Sequence, residues 1–181
     1  MEVKGYKAFN KNKQNRYGVP FLEGHTYRVL GPVSFGCNGN GYHFCRELSD
    51  VFRYVDNNEE VCVASVTGSG EMVTFNDEYY GYYDMYSSEI LRVDRFLSRE
   101  EIIDIMLNSN EEAIRKFLLF FRLNSLELSL FVNRFGSNMK IMEFIMYYQM
   151  GCKDIYMQDY GHRQEIVRKV LMYGQNSNKG S

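Results

Sequence analysis

Four cysteines and three histidines are the first residues whose types suit metal or nucleophilic chemistry. Cys37, His43 and Cys45 lie close in sequence, and Cys62 would be a fourth ligand for tetrahedral zinc. No cysteine pair has the two-residue spacing of a zinc knuckle or redox motif, and Cys152 stands far from the others. His43 and Cys45 alternate around Phe44, so on one strand they share a face and crowd each other. The expectation is no metal and buried free thiols, since Cys packs as a small hydrophobe. Thr67-Gly68-Ser69-Gly70 is not a phosphate loop, because no Lys-Ser/Thr follows it. Gly39 and Gly41 around Asn40 make no dinucleotide fingerprint. His25 falls at a strand entrance, His43 inside a strand as a core histidine, and His162 has no local signature.

The charge map carries more. Residues 1–46 hold seven bases against two acids, whereas residues 47–91 hold ten acids against the single base Arg53. A chain of net charge −2 therefore conceals a strongly acidic middle. Within it, Asn76 to Ser88 intersperses five tyrosines with three carboxylates, in what reads as an exposed loop. Tyrosine is a large, stiff contact residue with a polar tip. Spaced carboxylates can face the Arg and Lys of a nucleic-acid-binding surface. Asp77, Glu78, Tyr79, Tyr80, Tyr82, Tyr83 and Asp84 are thus the candidate partner-binding residues. A second candidate surface is the basic N-terminus. There Lys7, Lys11, Lys13 and Arg16 alternate with Tyr6, Phe9 and Tyr17, a pattern that could hold nucleic-acid phosphates.

The elements that must position these residues differ between two halves. Strands are expected over Val3 to Phe9, Thr26 to Leu30, Gly41 to Cys45, Glu60 to Val66, Met72 to Phe75 and Glu89 to Val93. The strand Glu60 to Val66 is expected to close at Gly68 and Gly70. Leu48, Val51, Phe52 and Val55 recur at helical spacing, with Ser49 or a neighbour near the helix start. After Leu97 the pattern is helical. Ser98 with Glu101 and Ser109 with Glu112 read as capping boxes. Ser125 and Asn138 read as caps of two further helices, ended near Gly136 and Gly151, and a last helix is expected from His162 to Tyr173. The expected fold is α+β: a small twisted, mostly antiparallel sheet with one helix, followed by a C-terminal helical bundle. The expected domains are 1–97, β-rich, and 98–174, helical, with a disordered tail over 175–181.

Length and composition bound the rest. A chain of 181 residues with 45% hydrophobic and 24% charged residues has the composition of a globular protein. It is long enough to be stable without disulfides. The net charge excludes a globally basic nucleic-acid binder. No apolar run is long enough for a spanning helix, and the first residues lack a signal-peptide core, so a cytoplasmic location is expected.

Two resemblances attach to these residues. Gly41-Tyr42-His43-Phe44-Cys45, a short helix, Val61 to Val66, and Ser88-Glu89-Ile90-Leu91 follow the order seen in polymerase-type ADP-ribosyltransferases. That resemblance implies NAD as cofactor, Tyr42 and Phe44 in a nicotinamide pocket, Tyr54 stacking, and Glu89 as the catalytic acid. The first-strand anchor of that family has no clean counterpart, and Ser87 stands where a second Glu would be. The other resemblance rests on Lys4-Gly-Tyr-Lys-Ala-Phe, Phe21-x-Glu-Gly-x-Thr-Tyr, Gly41-Tyr-His-Phe-Cys, Asp50-Val-Phe-x-Tyr and Val63-Ala-Ser-Val. This wording resembles a small uncharacterised domain of phages and mobile elements. It implies a phage accessory protein in a bacterial host's cytoplasm. Such proteins include anti-CRISPR inhibitors that dock on the basic surface of a CRISPR-associated nuclease. The combined expectation is a protein-binding inhibitor of a nucleic-acid-handling enzyme, without cofactor. The alternative is a divergent mono-ADP-ribosyltransferase.

Overall fold

In a computed structural model, the structure describes residues 1–15, 17–35, 39–54, 61–76 and 84–150, apart from the side chains of Asn76 and Asp84. The chain forms two compact units, Met1–Ile102 and Ile103–Ser181. The architecture is α+β: among the described residues, an antiparallel five-stranded sheet and a short helix come first and a bundle of four helices follows. No helix among the described residues is long and apolar enough to cross a membrane.

The sheet unit contains β1 (Val3–Asn10), β2 (Thr26–Arg28), β3 (Tyr42–Cys45), α1 (Leu48–Val51), β4 (Val61–Asn76) and β5 (Asp84–Leu97). A 3-10 turn, Phe52–Tyr54, extends α1. All pairings are antiparallel, and they return on themselves: β5 bonds β3 and β4, and β1 bonds the same two strands. Among the described residues, β2 alone lies outside this ring, on β5. The ring encloses a core of Phe9, Phe21, Phe44, Ala64, Val66, Leu91 and Val93. Phe44 fits because two strands carry no side chain beside it. A Cβ on Gly5 would lie 2.7 Å from its ring, and one on Gly68 would lie 2.5 Å away.

Gly68 and Gly70 do not close the strand, contrary to the sequence expectation. β4 runs 16 residues through both of them, so Met72 to Phe75 is its continuation. Gly68 serves packing, while Gly70 takes φ +79° in a bulge between Ser69 and Met72 that bends the strand without ending it. The expected loop from Asn76 to Ser88 is also too long. β5 begins at Asp84, and Ser87 and Ser88 are buried in it. Alternation is hidden there because Ser87 and Ser88, neighbours that point to opposite faces, are both buried.

The helical unit follows local rules. Its helices are α2 (Arg99–Leu107, which begins in the sheet unit), α3 (Glu111–Phe120), α4 (Ser125–Phe135) and α5 (Met139–Phe144), continued by a π-turn over Ile145–Gln149. The Ser98–Glu101 capping box is present in both directions. Asn138 caps α5 through the amides of Lys140 and Ile141. Two caps are displaced by one residue. Asn110, not Ser109, caps α3 through Ala113, and Ser109 instead donates to the Ile105 carbonyl. Asn124, not Ser125, caps α4, in a capping box with Glu127. In both cases an asparagine adjoins the serine and its carbonyl reaches the orphan amide. α1 starts at Glu47 with no side-chain cap, and Ser49 is buried within it. The Gln149 amide donates to the carbonyls of Leu118 and Phe121, and its oxygen accepts from Leu123, closing the α3–α4 connection. The helix expected over His162 to Tyr173 and the tail 175–181 lie outside the described residues.

Candidate functional site

An open depression in the sheet unit lies across β1, β4 and β5 and has a volume of about 860 Å³. Strand register builds it. Lys4 pairs with Thr67 and Thr67 with Arg92, forming one rung; Tyr6 pairs with Ser65 and Ser65 with Arg95, forming the next. Side chains on neighbouring rungs of one face stand close enough to act on a common ligand. Arg92 and Arg95 are three apart, which plain alternation would send to opposite faces. A bulge restores them to one face. Ser65 faces Arg95 and Val66 faces Val93, so Asp94 is the extra residue.

That extra residue organises the charges. Asp94 accepts from Arg92 Nε at 2.7 Å and from the buried Thr67 hydroxyl at 2.8 Å. Arg95 pairs with Glu101, whose carboxyl is held below its usual range first by the Ser98 amide and then by Arg95. Arg46 and Glu47 complete the wall where β3 leads into α1, with Glu2 and Tyr86 on the remaining sides. Among the described residues, Lys4 and Arg46 are exposed cations engaged in no hydrogen bond or ion pair. The lining therefore offers two arginines fixed by carboxylates, two further cations, and tyrosine rings.

The residues singled out from sequence fall elsewhere. Tyr42 packs against Phe21 and Tyr27 at the ring core, and burial raises its phenol pKa. Tyr54 is half exposed and its hydroxyl meets the sulfur of Met85. Met85 pairs with Cys45, three residues from Tyr42, so Tyr42 and Tyr54 belong to opposite faces of the sheet. Glu89 accepts from the Glu71 amide at 3.1 Å and from Arg28 Nε at 2.8 Å. These contacts, the Glu71 amide foremost, hold its carboxyl below the usual range. It fastens the β4 bulge and the outer strand β2. A Cβ on Gly70 would meet its Oε2 at 2.5 Å, so the bulge glycine and the carboxylate fit each other. The structure does not bring Glu89, Tyr42 and Tyr54 into one pocket.

The N-terminal bases are likewise dispersed. Lys7 is half-buried and donates to the His43 carbonyl at 2.5 Å. Lys13, at φ +57°, lies over the Phe96 ring at 4.4 Å. Lys11 is exposed in the turn after β1, where its carbonyl faces the Cys62 thiol. Arg16 lies outside the described residues. Of the acidic middle, Asp50 is buried beside Cys45, and Glu71 and Glu89 serve backbone amides. Asp77, Glu78, Tyr79, Tyr80, Tyr82 and Tyr83 lie outside the described residues, as does the side chain of Asp84. The thiol of Cys45 is buried and pushed up to about 12, chiefly by that burial; Cys62 is half-buried, and Cys37 and Cys152 lie outside the described residues. The His43 and Phe35 rings stand nearly perpendicular, 4.9 Å between centres. Among the described residues no group of three or more His, Cys, Asp or Glu could hold a metal ion.

Sequence reasoning missed Lys4, Arg46, Arg92 and Arg95 as a group. Their signal was present only in part, as the excess of base in residues 1–46. Arg92 and Arg95 fell in a segment of nearly balanced charge, and only strand register joins them to Lys4.

Fold and groove together define an α+β protein whose N-terminal sheet unit carries a mixed-charge arginine groove. The model of a family described as a domain of unknown function, DUF7666, matches residues 3–101. The chain belongs to this family, and the matched segment lies within the sheet unit. Comparison with curated proteins and with solved structures finds no match.

Proposed function

We propose that the protein acts by binding a partner protein through acidic and tyrosine residues, as a phage-encoded inhibitor of a nucleic-acid-handling host enzyme such as a CRISPR-associated nuclease. The observation that carries this reading is the length of the β4–β5 hairpin. Pairing continues to Asn76 opposite Asp84, so the chain from Asp77 to Tyr83 joins the ends of the two longest strands. That connection holds two carboxylates and four tyrosines within seven residues. Nearby acids are committed elsewhere: Glu71 and Glu89 accept backbone amides, and Asp50 is buried. Acidic side chains at a partner's rim steer encounter, and stiff aromatic rings supply contact area. The transferase reading gains no support from the geometry, since Glu89 is engaged with Arg28 and Glu71 and its companions lie apart.

The test is capture from a bacterial lysate by the immobilised protein, with and without nuclease treatment. A partner should persist after nuclease and should be lost when Asp77, Glu78 and Asp84 are all changed to Lys. Its association should slow as salt rises, because screening acts over ~8 Å at physiological ionic strength. A partner retained by the triple variant, or released by nuclease, would overturn the reading.

A further inference from the structure

We infer that the groove across β1, β4 and β5 is a binding site for a small phosphorylated molecule of the nucleotide class. The inference does not depend on the proposal made for the hairpin connection. The volume of about 860 Å³ falls within the roughly 300–1,000 Å³ of small-molecule sites. Its cations are placed by register: Lys4 and Arg92 on one rung, Arg95 on the next, and Arg46 at the end of β3. Arg92 is fixed by Asp94 and Arg95 by Glu101, which reduces the ordering cost of binding an anion. Lys4 and Arg46, with no partner among the described residues, are the groups available to neutralise a phosphate.

The signs of the lining decide the class of ligand. Four basic side chains share the groove with the carboxylates of Glu2, Glu47 and Asp94. A nucleic-acid strand brings a charge with every nucleotide, and these carboxylates would repel it. A mononucleotide has one charged end and a neutral body rich in hydroxyl and amino donors, which carboxylates accept. Tyr6, half-buried on the rung beside the cations, supplies a ring for a planar base, whereas Tyr86 is stacked on Phe44. The bulge at Asp94 is the structural device, because it brings Arg92, Asp94 and Arg95 together where alternation would divide them.

The experiment is calorimetric titration of the full chain with AMP, GMP, CMP and UMP, and separately with inorganic phosphate and a short single-stranded oligonucleotide. At least one mononucleotide should bind more tightly than inorganic phosphate. Lys4→Ala with Arg46→Ala should weaken it by about tenfold or more, each charged hydrogen bond being worth at least that factor. Because these two exposed side chains make no hydrogen bond or ion pair with the described residues, thermal unfolding should be little changed. Lys140→Ala, in the helical unit, should bind as the parent does. No mononucleotide binding at millimolar concentration would overturn the inference. So would affinity equal to that of phosphate, affinity unchanged in the double variant, or binding of the oligonucleotide alone.

Discussion

The sheet unit and the helical unit spend their polar residues differently. In the helical unit, Asn110, Asn124 and Asn138 each satisfy an amide two or three residues away. In the sheet unit, Glu89 holds Arg28 from 61 positions away and Thr67 holds Asp94 from 27 positions away. The two cores are built differently as well. Helical aromatic contacts such as Phe117 on Phe121, 4.5 Å between ring centres, sit at helical spacing. Phe44 of the sheet depends on two glycines, Gly5 and Gly68, distant from it and from each other in sequence. Helix termini can thus be repaired residue by residue, whereas the sheet ring tolerates little change at its crossing points.

The sharpest way to break this contrast is at Gly5. A Cβ there would lie 2.3 Å from the Cys45 carbonyl oxygen as well as against Phe44, and backbone cannot step aside. Gly5→Ala should cost ~3 kcal/mol or more, at the upper end of overpacking effects. Denaturant unfolding would show it, and a loss below 1 kcal/mol would mean that the ring is looser than described. A change of similar size, but in binding alone, is expected from Asp77, Glu78 and Asp84 to Lys. Attraction turned to repulsion should lower partner affinity by several kcal/mol. Circular dichroism should be unchanged, because the β4–β5 pairing is fixed by the strands on either side.

A smaller effect is expected in the helical unit. Asn124→Ala removes one half of a capping box and should cost ~1 kcal/mol. Ser125→Ala at the next position should cost less, since Ser125 is not the cap; equal losses would reverse that assignment. The smallest effect is expected at Glu89 and appears in its pH dependence. Its carboxyl is depressed by the Glu71 amide first and by Arg28 next, so the fold is stabilised by the ionised form. That contribution is present above the unfolded carboxylate value of ~4.3 and is lost as pH falls through the lower folded value. Thermal unfolding of wild type and Glu89→Gln should therefore differ at neutral pH and converge in acid. Curves that stay parallel down to acid would show that the clip contributes no ionisation-linked stability.

What was legible in advance follows the same division. The Ser98–Glu101 capping box, the shift from strand to helix after Leu97 and the buried thiol of Cys45 could all be read from local types and periods. The Ser109 and Ser125 assignments failed by one residue because an adjacent asparagine competes for the same amides. The length of β4 was missed because glycine in a strand reads as a stop. Here Gly68 clears space for Phe44, and Gly70 makes a bulge beside Glu89. Of the candidate residues, Lys7 and Lys13 were counted as surface charge. Their neighbours, the His43 carbonyl and the Phe96 ring, come from other strands.

The sequence by itself determined the α+β class, the order of strands before helices and an acidic segment rich in tyrosine. These follow from residue period and composition, which act over a few neighbours. Only the tertiary structure decided that the sheet closes on itself, that Glu89 is a fastening and that Lys4, Tyr6, Arg46, Arg92 and Arg95 line one groove. The physical reason is register. A single extra residue at Asp94 changes which side chains share a face, and no local pattern reveals where a strand will take up that residue.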